Sequence, residues 1–576
     1  MSTMYKILTI SILFLSSLNG QNSVEYPKDY FRSPLDIPLF LAGNFGELRS
    51  NHFHAGIDIK TQGLEGFKVY ASASGYISRI KVQHNGYGKV LYLTHSNGYT
   101  TVYAHLKKFS PKIEAYIKKH QYKKETYTIE KFPAPNELTF EKGEVIAISG
   151  NSGGSGGPHL HFEIRESKTE NPVNPLLFGF NIKDNIKPII KGIRIYPLDT
   201  NSYLGTKPKA QYLTALGEKG KYRLRFQDTI RVHGKIALGI ETLDKLNGAG
   251  NKCGVFDIQL YKNSKLIYEQ NMSCIPFSES RYINSHTEYG YKKDKNKWIH
   301  KSYIDPNNRL SIYKKHENHG IMQFYDNSRD TMTYVITDVY NNQSTLSFIL
   351  TGKAKELIFK TPVDSFEVAQ LKYQRSFNHF ESDIQVNIPA NSVYRDLPFR
   401  LERKPGKPGD WTPRYQIMDL SIPVHKKYTV SLKPDTIIDS LKSKYLMASE
   451  DKWRNLRAEG GKWNEDRFET KTRSFGTYVL RLDTIAPTIK GFNVYNGKNI
   501  GKQSTLAFSI QDNFSGIESY RCLVDGKWVL FEYDYKKRRL SHYLDGTITK
   551  GKHEISVQAI DNRGNKTIKT YSFLLL

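Results

Sequence analysis

Residues 142–165 read KGEVIAISGNSGGSGGPHLHFEIR. Glu144 to Ile148 is a short apolar run of strand length, and the Phe162-Glu163-Ile164 continuation makes a second strand of the segment that begins at His159. Side chains two apart on a strand share a face, so the imidazoles of His159 and His161 can both reach one site. The loop between them is built from Gly, Ser and Asn, which lets a substrate approach the backbone. Gly150 to Gly154 matches the G-x-S-x-G pattern of a serine nucleophile. That elbow needs a helix after the turn, whereas Pro158 and a strand follow here. The loop also lacks the Gly-Lys-Ser/Thr ending of a phosphate cradle. Residues 69–80 and 142–150 share the hairpin pattern of lipoyl or biotinyl carriers, which have no use for convergent histidines.

Two further motifs precede this stretch: HFHAGID at 52–58 and YAHL at 103–106. Gly56 permits a turn between His54 and the Ile57-Asp58-Ile59 strand. A hydrolytic zinc site needs three protein ligands and one open position, and His54, Asp58 and one histidine of the His159/His161 pair supply that count. His105, which alternation places on the same strand face as Tyr103, is then free for proton or oxyanion work. FKVYASASGYISRIKV (67–82) and KVLYLTHSNGYTTVYAHL (89–106) read as strands joined by Gly and Asn turns. Ile113, Tyr116, Ile117 and His120 recur at helical spacing, so one amphipathic helix is expected there.

The order H-x-x-x-D, Y-A-H-L and G-P-H-L-H-F-E-I resembles the lysostaphin-type zinc endopeptidases of bacterial cell walls, over residues about 40–175. The resemblance implies a compact antiparallel β-sheet with the site in a groove. It assigns one Zn2+ to His54, Asp58 and His161, catalytic roles to His159 and His105, and peptidoglycan as the substrate. Within it, His159 is the general base and His105 the oxyanion donor, while His52 is a wall or surface residue. No H-E-x-x-H helix is present, so a thermolysin-like arrangement is excluded. Residues 107–141 depart from the family, whose connection there is short. Two other readings stand beside the hydrolase: a non-catalytic wall-binding or amidase-activating protein of the same fold, and an envelope adhesion protein.

Beyond residue 180 a repeat appears. DNIKPIIKGIRIY (184–196) and DTIAPTIKGFNVY (483–495) agree at seven of thirteen positions, and TDVYNNQSTLSF (337–348) is echoed by IDNRGNKTIKTYSF (560–573). Many short strands in each copy suggest immunoglobulin-like β-sandwiches. The expected architecture is therefore all-β dominated and multidomain: a leader at 1–20, a peptidase domain with a helical insertion at 25–180, sandwiches at 181–355 and 483–576, and a β-rich unit of unassigned fold at 356–482. Trp453 and Trp463 in that last unit read as core residues rather than a sugar platform.

The leader has Lys6 before a short apolar core, too short to span a bilayer, and no later apolar run is long enough to do so. Export to the periplasm or the medium is the expectation. Of three cysteines, Cys253 and Cys274 form the candidate pair, with three reduced thiols the alternative. A net charge of +27 serves general solubility, and if it also binds a polyanion, anionic envelope polymers are expected rather than nucleic acid.

Overall fold

The computed structural model describes residues 25–226, 228–353 and 367–576. The expected leader and the boundary at 355/356 lie outside the described residues. Strands take 48% of the chain and helices 8%, so the architecture is mostly β and spread over several sheets.

The N-terminal unit is built on a nine-stranded sheet and also holds a three-stranded sheet of Lys68–Tyr70, Val145–Ile148 and Lys108–Phe109. Its principal strands are β1 (Leu41–Gly43), β2 (Ile57–Lys60), β3 (Gly75–Val82), β4 (Lys89–Thr94), β5 (Tyr99–Ala104), β6 (Ile129–Lys131) and β7 (His159–Glu166). They lie in the order β1-β2-β7-β5-β4-β3-β6. β3, β4 and β5 form a meander, because turns at His84–Gly88 and His95–Gly98 reverse the chain. β7 then enters between β2 and β5, with His161 opposite Asp58 on one side and Ala104 on the other. Alternation sends Ile57, Ile59, Leu160, Phe162 and Ile164 into a fully buried core under the sheet. Asp58, His161 and Glu163 consequently share the opposite face.

Helix α1 (Pro111–Lys124) follows β5. It is longer than the apolar spacing over 113–120 indicates, because its ends are set by other chemistry. Pro111 sits where its missing N–H costs nothing, and Glu114, Lys123 and Lys124 complement the helix dipole. Ile113 and Ile117 are buried against the core, each contributing on the order of 2 kcal/mol.

Strands from Ile189–Pro197 to Gln343–Gly352 form one twelve-stranded sheet assembly. Residues 367–482 form six- and five-stranded sheets that share a core around Tyr415, Tyr428 and Tyr445. Residues 488–575 form four- and five-stranded sheets closed over Phe508, Ile510, Val557 and Phe573. Trp463 packs beside the middle core and donates to the Lys442 carbonyl, but Trp453 is 68% exposed, contrary to the core reading. Cys253, Cys274 and Cys522 are all free thiols, so no Cys253–Cys274 bridge forms.

The tail folds back onto the N-terminal unit. Lys89 Nζ, itself buried, pairs with Glu532 at 2.6 Å, and Leu530 joins the N-terminal core. No helix of the described residues is long and apolar enough to cross a membrane.

Candidate metal centre

His54, Asp58 and His161 converge on the polar face of the sheet. His54 Nε2 lies 3.0 Å from Asp58 Oδ1 and 3.0 Å from His161 Nδ1, and His161 Nδ1 lies 2.9 Å from Asp58 Oδ1. All three residues are buried.

The outer partners decide what these atoms present to each other. His54 Nδ1 donates to the Asn44 carbonyl at 2.8 Å, so its Nε2 carries a lone pair. His161 Nε2 donates to Glu163 Oε1 at 2.8 Å, leaving a lone pair on Nδ1. Two imidazole lone pairs and a carboxylate oxygen thus face one point, which only a cation can satisfy. Two nitrogens and one oxygen in this arrangement fit a divalent metal of the zinc type with a position left over. Among the described residues two other groups of acidic or imidazole side chains come this close, and both are purely aspartate.

A proton is the competing cation. Burial opposes charge on His161, yet hydrogen bonds to Asp58 and Glu163 push it up to about 9. Burial would likewise raise the Asp58 carboxyl, but His54, His159 and His161 hold it well below the usual carboxylate range. Glu163 is fully buried and held down to about 2: burial works against its charge, and Arg165 beside it overcomes that. Arg165 Nε donates to Glu163 Oε2 at 2.6 Å, and the Tyr87 hydroxyl donates to Oε1. Residues 161, 163 and 165 thereby form a polar ladder along β7, each on the same face. Arg49 Nη2 reaches the second oxygen of Asp58 at 3.2 Å.

His159 Nε2 is 3.4 Å from Asp58 Oδ1, a longer approach than those of His54 and His161 to the same oxygen. Its Nδ1 donates to the Gly157 carbonyl at 2.8 Å, so Nε2 faces the site as an acceptor. His105 reaches the same place by a different route. Tyr103 is buried in the core beneath the sheet, and continued alternation would send His105 there too. Instead His105 adopts φ +59° just after β5, and its ring lies 4.8 Å from that of His159. The shared face with Tyr103 is therefore corrected: the left-handed backbone turns His105 over. Its Nδ1 donates to the Ser152 carbonyl at 2.8 Å, and burial together with His161 and His159 holds it down to about 3.

The Gly-rich loop holds that carbonyl in place. Gly153 has φ +71° and passes so close to residues 86–88 that a Cβ would lie 2.3 Å from Gly88 N. Ser152 Oγ donates to the Leu106 carbonyl at 2.7 Å, a structural hydroxyl rather than a nucleophile. From the tail, Lys536 Nζ donates to the carbonyls of Asn151 and Ser155 at 2.7 and 2.9 Å. His52 is exposed and bonded to Ser50, outside the cluster. Asn44, Glu163, Tyr87 and Arg165 lie outside the motif positions that the sequence marks as site residues. Of these, Glu163 had a signal, its spacing of two from His161.

Residues 52–122 match the model of Peptidase family M23, and residues 368–483 match that of a Zu5-like domain. The first match includes His54, Asp58 and His105 and ends within α1, before His159 and His161. A protein of Haemophilus influenzae named an uncharacterized metalloprotease is 34% identical over 167 residues, 28% of this chain and 30% of that protein. The DD-carboxypeptidase/endopeptidase Mpg of Neisseria meningitidis serogroup B is 35% identical over 129 residues, 22% of this chain and 23% of that one. The chain thus spans less than a third of the length of either relative. The catalytic domain of the antimicrobial peptidase lysostaphin from Staphylococcus simulans is 22% identical, with 24% of this chain and 91% of that one covered and a TM-score of 0.19. The N-terminal unit of this chain is a Peptidase family M23 domain.

Proposed function

We propose that residues 25–180 form a zinc metalloendopeptidase that hydrolyses peptide bonds of bacterial peptidoglycan, in cross-links or stem peptides. The observation that carries this is the convergence of His54 Nε2, Asp58 Oδ1 and His161 Nδ1 within 3.0 Å, with both ring lone pairs turned inward. The names of the Neisseria and Haemophilus relatives support the chemistry and the substrate class. In this reading the three residues hold one Zn2+, which when bound acidifies water and polarises a carbonyl.

The chain's own residues then handle protons. His159 Nε2, beside Asp58 and across the ring from the Nδ1–H that donates to Gly157, accepts the proton of the attacking water and can return it to the leaving amine. His105 with its Nδ1–H committed to Ser152 also offers a lone pair from Nε2. As an oxyanion donor or as a proton acceptor it would become an imidazolium, which its burial opposes, so it fits orienting the water by accepting its hydrogen bond. Glu163, Tyr87 and Asn44 fix the ligand tautomers.

We place the remaining boundaries at 181–355, 356–482 and 483–576, with the first and last as immunoglobulin-like sandwiches. We also place the protein outside the cytoplasm, where its substrate lies, with anionic envelope polymers as further partners of its basic surface. The test is digestion of purified peptidoglycan by the full chain, with muropeptides resolved to name the bond cut. Activity should stop with chelator and return with zinc. His161→Ala should lose metal and activity together, whereas His159→Ala should keep metal and lose activity. Equal digestion by chelated and zinc-loaded protein would overturn the reading.

A further inference from the structure

The two copies of the tail repeat each open on an aspartate and carry another in their closing segment, and folding brings those aspartates together. In the first copy Asp184 and Asp338 meet Asp244, which follows directly on the strand Thr229–Leu243. In the last copy Asp483 and Asp561 meet Asp512, which follows directly on Thr505–Gln511. In each trio one carboxylate oxygen from every residue lies within 4.8 Å of the others. The local bonding matches as well. Asp338 Oδ1 accepts from the backbone N–H groups of Tyr340 and Asn342, and Asp561 Oδ1 accepts from those of Arg563 and Asn565.

In the first copy two carboxylate oxygens are left without a partner, whereas Asp338 is bonded at both of its own, Oδ2 accepting from Asn342 Nδ2 at 2.8 Å. Asp244 is 2% exposed, and its Oδ1 has no hydrogen-bond partner; Asp184 Oδ2 is buried and unpartnered too. No ion pair among the described residues joins Lys or Arg to Asp184, Asp244 or Asp338. Buried carboxylates at this spacing repel one another, and unpaired buried oxygens are costly. The three line one small cavity of about 10 Å³, room for a single ion or water.

We propose that Asp184, Asp244 and Asp338 bind one Ca2+. An oxygen-only, acidic donor set selects a hard cation over zinc. Metal–oxygen bonds of about 2.4 Å allow ligand oxygens up to about 4.8 Å apart across the ion, and the oxygens of this trio lie within that limit. Mg2+ keeps several waters, for which a cavity closed by Phe45, Leu246 and Val255 has no room. The site lies on the seam between the tail and the M23 domain, since Asn44 and Leu176 form its other wall. Asn44 is joined to Gly254 by two hydrogen bonds of 2.7 Å, and its carbonyl orients His54. Calcium here would stiffen the junction that supports the histidine centre.

The experiment is calcium titration of the full chain, stripped of divalent ions, by calorimetry and by thermal unfolding. The wild type should bind Ca2+ and gain a few degrees in Tm at millimolar Ca2+, with less gain from Mg2+. Asp244→Asn should lose one binding event and that gain. In calcium-free buffer it should melt at or above the wild type, because a neutral amide replaces a carboxyl whose charge burial, Asp338 and Asp184 all oppose, which also reports that it folds. His161→Ala should retain the calcium event, separating it from the histidine centre. Absence of binding by the wild type, or binding unchanged in Asp244→Asn, would overturn the proposal.

Discussion

The backbone carbonyl of Asn44 accepts the Nδ1–H of His54 at 2.8 Å, while the Asn44 side chain is locked to Gly254 of the tail. One residue therefore sets the tautomer of a metal-facing histidine and ties it to another unit of the chain. Asn44→Ala keeps the carbonyl but leaves the N–H and C=O of Gly254 without their partner. It should cost about 1–3 kcal/mol by chemical denaturation. Zinc affinity should fall less than in a ligand variant; an unchanged denaturation midpoint would show that the seam does not matter.

Glu163 orients His161 and is fully buried with Arg165 as counter-charge. Glu163→Gln removes the charge while keeping the shape. Zinc affinity, measured by competition with a chromogenic chelator, should drop roughly 10–100-fold. Tyr87→Phe, which loses only a hydroxyl donor to the same oxygen, should lie between this variant and the wild type.

Metal uptake should release protons. His161 holds its proton up to about pH 9 when no metal competes, whereas a ligand imidazole must be deprotonated at the atom that binds. Below about 9 the metal therefore displaces a proton, and affinity should rise with pH until that point. Calorimetry in buffers of different ionisation enthalpy should count about one proton at neutral pH. A buffer-independent heat would contradict it.

Buried histidines held neutral, His95, His105 and His300 among them, set the acid limit of stability. Burial holds His95 and His300 down to about 4, and burial with neighbouring histidines holds His105 to about 3. Each folded value lies below the ordinary one near 6.5, so the unfolded chain takes up protons first as pH falls. Stability present above about pH 6.5 should decline between 6.5 and 4, and Tm scans across that window should show it. His95 makes no contact with the metal-facing trio, so His95→Gln should flatten the slope without changing zinc stoichiometry.

The tail braces the N-terminal unit through a buried charge. Lys89 Nζ meets Glu532 at 2.6 Å and the Lys107 carbonyl at 3.0 Å. Glu532→Ala leaves that ammonium buried without its carboxylate and should destabilise by about 3 kcal/mol. Replacing both with apolar residues, as in Lys89→Met with Glu532→Leu, should recover much of the loss. A double variant no better than the single one would assign the effect to something other than the unpaired charge.

From residue order alone the chain yields its β character, the shared face of His159 and His161, the helix after YAHL, and the three short motifs whose side chains the resemblance assigns to the centre. All of these follow from backbone periodicity or from short motifs, because the direction of a side chain on a strand or helix is a local property. Folding decided what depends on register and on single φ values. β7 enters between β2 and β5 so that His161 faces Asp58, and a left-handed residue turns His105 away from the side of Tyr103. The supports from Asn44 and Tyr87, the free thiols of Cys253 and Cys274, and the meeting of Asp184, Asp244 and Asp338 join residues tens to hundreds of positions apart. No periodicity carries such pairings; they arise only when separate sheets pack and fix which distant atoms share a few ångströms.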